Sequence, residues 1–189
     1  MSQHRALLDA NVLYPAPLRD ILLQLAVMDV FQAKWTAEIH REWIEALLRN
    51  DPQRDRAALE RTRDLMDRAT RDSLVTGYER LISALTLPDP DDRHVLAAAI
   101  VGRCDVIVTQ NLKDFPDAVL ADFQIEAQHP DEFLRHQLRL WPGRFCGAVS
   151  KVRGRLLKPP YSIEEYLAAL GRQGLVRTAE ELRKFVDLL

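Results

Sequence analysis

Cysteine is scarce in this 189-residue chain: Cys104 and Cys146 are the two present, far apart and outside any Cys-x-x-Cys spacing. That excludes a disulfide framework and a thiolate zinc cluster, and makes a reduced cytoplasm the default location. Glycine and proline, at 7 and 10 residues, are too few for collagen-like or long disordered tracts. No apolar run approaches the ~18 residues that would mark a membrane span. Met1-Ser2-Gln3-His4-Arg5 enters a strand-like stretch at once and lacks signal-peptide anatomy. Nor is there a charge excess of one sign: 26 basic against 28 acidic residues exclude a globally basic nucleic-acid binder.

What remains is a chain that is 47% hydrophobic, enough to bury one ordinary core with an appendage. The charge is unevenly spread. Residues 1–129 carry 15 Lys and Arg against 21 Asp and Glu, whereas residues 130–189 carry 11 against 7. Between Trp141 and Pro160 stand Arg144, Lys151, Arg153, Arg155 and Lys158 with no acid among them. Such a cluster reads either as a phosphate-contacting patch or as a solvated helix face.

The hydrophobic pattern alternates strands and helices. Arg5–Val12 reads as a short buried strand running into a loop, Ala16–Met28 as a helix, Val30–Trp35 as a second strand, and Ala37–Arg49 as a helix capped by Thr36. Asp51-Pro52 has the form of a helix start, with that helix reaching about Arg71. Leu74–Thr76 is a further strand candidate. Asp91–Gly102 reads as a helix, Asp105–Thr109 as a third clear strand and Phe123–Ala127 as a fourth. Alternation of this kind predicts a parallel sheet covered on both faces. After His129-Pro130 the pattern is helix only: Asp131–Leu140, then segments opened by capping-box patterns at Ser162 and Thr178. The expected organisation is an α/β domain over 1–129 and a helical extension over 130–189.

Four acids stand where a parallel sheet could gather them. Asp9 ends the first strand, at the carboxyl edge where open sheets bind ligands. It either caps the following turn or carries a charge that needs a partner. Glu42 projects onto the rim of the apolar arc made by Ile39, Trp43, Ala46 and Leu47. Asp92 projects between Leu96 and Ala99 on a helix that is apolar nearly all round, although acids also belong at a helix start for electrostatic reasons. Asp114 follows the third strand, with Thr109 and Asn111 beside it. Carboxylates brought together repel by about 4 kcal/mol per pair at ~4 Å and an effective dielectric near 20. Such a cluster needs a proton or a cation. Oxygen ligands without Cys or paired His favour Mg2+ or Mn2+ over Zn2+, and a metal held so at a cleft is usual equipment for phosphodiester hydrolysis.

The segments LLDANVLYPAPLRD, TAEIHREW, DPDDRHVLAAAI and CDVIVTQNLKDFP, taken in that order, resemble the PIN-domain ribonucleases, especially the VapC-type toxins of bacterial toxin–antitoxin systems. The resemblance runs from about Arg5 to His129. It implies an α/β/α sandwich with a central parallel sheet, and RNA cleavage leaving a 5′-phosphate and a 3′-hydroxyl. The family's four acids map onto Asp9, Glu42, Asp92 and Asp114, with Asn11, Thr109 and Asn111 lining the site. Asp9, Asp92 and Asp114 would anchor one or two Mg2+ or Mn2+ ions, and Glu42 would hold a metal or orient the water. His94 and His129 are expected to be packing or surface residues. An RNA substrate, a small antitoxin protein and a homodimer are the implied partners. A phosphoacceptor receiver domain fits less well, because the first strand supplies one acid rather than a pair. A dehalogenase-like phosphatase would need an acid where Asn11 stands. A PIN-like RNA-binding or complex-forming protein without turnover is the remaining alternative.

Overall fold

The computed structural model describes residues 4–157 and 159–189. In chain order they form β1 (Arg5–Leu8), α1 (Ala10–Leu13), α2 (Ala16–Val27), β2 (Gln32–Lys34), α3 (Ala37–Asn50), α4 (Arg56–Ala69), α5 (Glu79–Ile82), a 3-10 turn (Pro90–Asp92), α6 (Arg93–Val101) and β3 (Val106–Val108). A second 3-10 turn (Leu112–Asp114), α7 (Asp117–Leu120), a third 3-10 turn (Ala121–Phe123) and β4 (Glu126–Gln128) follow. The carboxyl-terminal part is α8 (Pro130–Leu140), α9 (Pro142–Arg155), α10 (Ile163–Arg172), α11 (Val176–Leu182) and a closing 3-10 turn (Arg183–Leu188).

The four strands make one sheet in the order β2-β1-β3-β4, every pair parallel. Ala6 pairs with Ala33 on one side and Val106 on the other. Parallel crossovers are right-handed, so the sheet's winding direction decides which face each helix covers. The chain steps from β1 to β2 in one direction and from β2 to β3 in the other. The two crossovers therefore cover opposite faces, α1 and α2 on one and α3 to α6 on the other. The result is the expected α/β/α sandwich. The direction of winding changes between β1 and β3, which leaves a crevice at their carboxyl ends.

Local chemistry sets the helix ends. Thr36 accepts a 3.0 Å hydrogen bond from the Ile39 amide and caps α3, and Asp55 accepts from the Ala57 amide at 2.9 Å and caps α4. The fourth helix thus starts later than Asp51-Pro52 implies. Asp51 instead accepts from the Gln53 amide and closes a local turn. The apolar segment after Pro90 divides into a 3-10 turn and α6, with Asp89 accepting from the Asp91 amide. Ala97, Ala98 and Ala99 are fully buried, and α6 packs on β1 and β3. Leu74 makes a single parallel bridge to Trp35 rather than a strand. The fourth strand begins at Glu126, because Gln124 adopts a left-handed backbone (φ 57°) that breaks extension.

Beyond β4, α9 and α10 pack on α2, and α8 packs on α9 and α11. Phe31 and Phe133 meet edge to face with centroids 4.9 Å apart. Ser162 forms the expected capping box with Glu165. Thr178 does not cap: it lies buried inside the first turn of α11, with its amide and hydroxyl bonded to Asp131 on α8. Among the described residues no helix is long and apolar enough to cross a membrane.

Candidate active site

Asp9 is the last residue before α1, and its carboxylate is 6% exposed at the crevice between β1 and β3. Three donors converge on it: the Ala10 amide (2.7 Å), the Asn11 side-chain amide (2.6 Å) and the Thr109 hydroxyl (2.7 Å). Asp9 therefore caps its turn, and its carboxyl is at the same time buried among polar partners. Burial raises its pKa above the ordinary aspartate value, and the charge of Glu42 raises it further. The hydrogen bonds from Thr109 and Ala10 act in the opposite sense. Asn11 also donates to Thr109 Oγ1 (2.9 Å) and accepts from the Gln110 amide (3.0 Å), which ties the ends of β1 and β3 together. Thr109 is fully buried and accepts from the Asn111 amide at 3.1 Å.

A cleft of about 430 Å³ opens over Asp9 and is lined also by Asn11, Tyr14, Glu42, Arg49 and Asp92. Glu42 is half-buried on α3, because its neighbours Trp43 and Ile39 are in the core. Asp92 ends the first 3-10 turn and is half-buried rather than enclosed. One carboxylate oxygen from each of Asp89, Asp92 and Asp114 lies within 4.8 Å of the other two. Asp114 is buried on the second 3-10 turn, with the Asn111 side-chain amide donating to it. Asp92 is thus common to the cleft and to the aspartate trio. Its pKa is raised to about 6, first by burial and then by the charges of Asp9, Asp89 and Asp114. Oxygen groups of this kind could hold a hard divalent ion between Asp89, Asp92 and Asp114.

Two residues in this neighbourhood escaped the sequence reading. His94 is neither a surface residue nor inert packing: it is 6% exposed, with Nε2 2.9 Å from Glu42 Oε1 and Nδ1 3.8 Å from Glu38 Oε2. Burial pulls its pKa down. The hydrogen bond it donates to Glu42 and the charges of Glu42, Glu38 and Asp9 outweigh that and leave it raised. Glu38 lies one turn before Glu42 on α3 and so reaches the same imidazole. The available signal was the i, i+4 spacing of Glu38 and Glu42 facing a helix start rich in acids. His129 caps α8 by accepting from the Asp131 amide and touches Gln110, a structural role.

The basic residues lie apart from the acids. Arg144 donates to the Asp29 carbonyl (3.2 Å) and sits over the Trp141 ring. Arg153 donates to the carbonyls of Tyr161 (3.1 Å) and Leu189 (2.9 Å), and Arg155 donates to Gln24 on α2. Lys151 is exposed, and Lys158 lies outside the described residues. A cavity of about 890 Å³ lies near Arg5, Gln32, Lys34 and Arg103, and none of Asp9, Glu42, Asp92 and Asp114 lines it.

A sequence profile described as PIN domain matches residues 5–113. The chain belongs to the PIN-domain family. In this PIN-domain chain a second profile, described as VapC50 C-terminal domain, matches residues 130–184. A stretch of 97 residues is 44% identical to a curated protein of Mycobacterium tuberculosis (strain ATCC 25618 / H37Rv) named "Putative ribonuclease VapC50". The match covers 51% of this chain and 57% of that protein, so it spans little more than half of the relative's length. No solved structure matches.

Proposed function

We propose that this PIN-domain protein is a divalent-metal-dependent endoribonuclease, the toxin of a toxin–antitoxin pair. The observation that carries the reading is the state of Asp92: burial, and then the charges of Asp9, Asp89 and Asp114, raise its pKa to about 6. Carboxylates gathered so at one sheet edge need a proton or a cation, and the cation is the reading proposed here. The carboxylate set suits Mg2+ or Mn2+, held by Asp9, Asp92 and Asp114 with Asp89 beside them. Bound there, the ion would supply Lewis acidity toward the phosphate and a water of lowered pKa.

The chain's own groups would do the rest. Thr109, Asn11 and the Ala10 amide hold Asp9 in a fixed orientation, which avoids reorganisation during reaction. Glu42, which lines the cleft and is bonded to His94, would take a proton from the attacking water. The water's oxygen forms the new bond to phosphorus, and the bond from phosphorus to the ribose 3′-oxygen breaks. That oxygen ends protonated, giving the 5′-phosphate and 3′-hydroxyl implied by the family resemblance. The exposed Lys151 is the proposed phosphate contact among the described cations, since Arg144, Arg153 and Arg155 already bond to the fold. The name of the Mycobacterium tuberculosis relative supports RNA as the substrate, and a small antitoxin protein is the proposed partner.

The test is incubation of the purified protein with structured RNAs in Mn2+, Mg2+ or EDTA, with mapping of product ends. Asp9→Asn is expected to abolish cleavage while the circular dichroism spectrum stays unchanged. Full cleavage by that variant, or cleavage indifferent to EDTA, would overturn the mechanism. Growth arrest on expression, relieved by a co-purifying small protein, would support the toxin role. Harmless expression without a partner would count against it.

A further inference from the structure

We propose that His94 Nδ1 and Glu38 hold a second cation, with Glu42 orienting the imidazole, at a site separate from the aspartate trio and suited to a borderline transition metal such as Zn2+. One ligand atom from each of the three lies within 4.8 Å of the other two. Acids alone would not make this case. The decisive group is the imidazole. His94 is only 6% exposed, and its Nδ1 has no hydrogen-bond partner among the described residues. That nitrogen lies 3.8 Å from Glu38 Oε2. The separation is too long for a hydrogen bond but suits two ligands bridged by one metal through bonds of about 2.1 Å.

The other half of the ring is already arranged for coordination. His94 Nε2 faces Glu42 Oε1 at 2.9 Å. A metal-binding histidine usually donates its second N–H to a carboxylate, which fixes the tautomer and turns the remaining lone pair toward the ion. With Nε2–H on Glu42, Nδ1 is the free lone pair. Glu38 is oriented in turn: Arg41 donates to its Oε1 at 2.9 Å, and the Tyr78 hydroxyl donates to its Oε2 at 3.4 Å. A cation at this point meets a buried lone pair that has no hydrogen-bond partner among the described residues. Mixed nitrogen and oxygen donors select Zn2+ over Mg2+, the reverse of the aspartate trio. Because Glu42 also lines the cleft over Asp9, the two sites are neighbours that share one side chain's surroundings.

The site does not depend on RNA cleavage, so it is tested by binding. The full-length protein, stripped with EDTA, is titrated with Zn2+ against a fluorescent chelator and, separately, with Mg2+ by calorimetry. His94→Gln and Glu38→Gln are each expected to weaken Zn2+ binding at least tenfold and to leave Mg2+ binding unchanged. Asp114→Asn is expected to weaken Mg2+ binding and spare Zn2+. Glu38 is partly exposed, so its variant keeps the test valid if His94→Gln loses its fold by circular dichroism. The zinc absorption edge of the loaded protein is expected to show an imidazole ligand. Zn2+ binding unaltered by both substitutions, or an oxygen-only coordination shell, would overturn the site. Intact Zn2+ binding without any RNA cleavage would sink the nuclease reading and leave this one standing.

Discussion

The Thr109 hydroxyl donates a 2.7 Å hydrogen bond to Asp9 Oδ2 and so joins the ends of two strands that lie a hundred residues apart in sequence. Both groups are buried, and Thr109 is fully so. Removing the hydroxyl while keeping the shape leaves a buried carboxylate short of one donor. Thr109→Val is expected to cost about 1–3 kcal/mol, the usual penalty for an unmet buried polar group. Urea unfolding in EDTA measures it. RNA cleavage should fall with it, and an unchanged rate would show that Asp9 does not depend on this bond.

Asp92 gives a pH prediction whose sign is fixed by its pKa of about 6, above the ordinary value of 3.8. Between those values the folded chain keeps the proton that the unfolded chain releases. Stability from this group is therefore greatest at low pH and declines as pH rises toward and past 6. In EDTA, Asp92→Asn should be more stable than the parent at pH 7, with the advantage shrinking toward pH 5. Parallel melting curves at the two pH values check this, and a constant difference would refute it. Added Mn2+ should remove the advantage at pH 7, because the cation supplies the missing positive charge.

His40 titrates with the opposite sense. It is 1% exposed, and its Nδ1 accepts from the Trp43 indole at 3.0 Å. Nε2 therefore carries the proton toward Asp67 Oδ1 at 3.1 Å, which also accepts from the Trp35 indole at 2.8 Å. Burial lowers the His40 pKa, so the unfolded chain takes up a proton first as pH falls. The contribution is present above the ordinary histidine value of 6.5 and is lost below it. His40→Phe is expected to cost about 1–3 kcal/mol at pH 7 by orphaning the Trp43 indole. The cost should be smaller at pH 5.5. A variant with the same pH slope as the parent would disprove the assignment.

The cations of α9 separate into two kinds. Arg153 ties the carbonyls of Tyr161 and Leu189, so Arg153→Ala should speed amide exchange across α10 and α11. Lys151 is exposed and should tolerate alanine within about 0.5 kcal/mol. If it contacts phosphate, Lys151→Ala lowers RNA affinity and reduces the salt slope by about 1. An unchanged slope would remove it from the proposed interface.

Much of the sheet was legible because parallel strands buried on both faces read as short apolar runs, as in Val106–Val108. Helices with side-chain caps, such as that begun by Thr36, were equally clear. Boundaries failed where two capping residues competed. Asp51 and Asp55 are both capable, and only the local turn around Pro52 decides in favour of Asp55. Thr178 misled for another reason: the hydroxyl that could have capped α11 is drawn to Asp131 across the helix pair. For the acids, strand ends and helical projection marked Asp9, Glu42, Asp92 and Asp114. His94 was hidden because it sits amid an apolar run, Val95 to Val101, where burial looks like packing. Its partners lie on α3, about fifty residues earlier, and sequence spacing does not express that contact.

The strand order β2-β1-β3-β4 places the third strand against the first, across a gap filled last of the two. A ribosome delivers Asp9 early, yet the hydroxyl of Thr109 and the carboxylate of Asp114 emerge only after most of the sandwich has been made. A half-synthesised chain therefore lacks Asp114 and Thr109 and holds the charge cluster only in part. Any activity that needs all of these acids begins only when translation of the sheet is nearly complete.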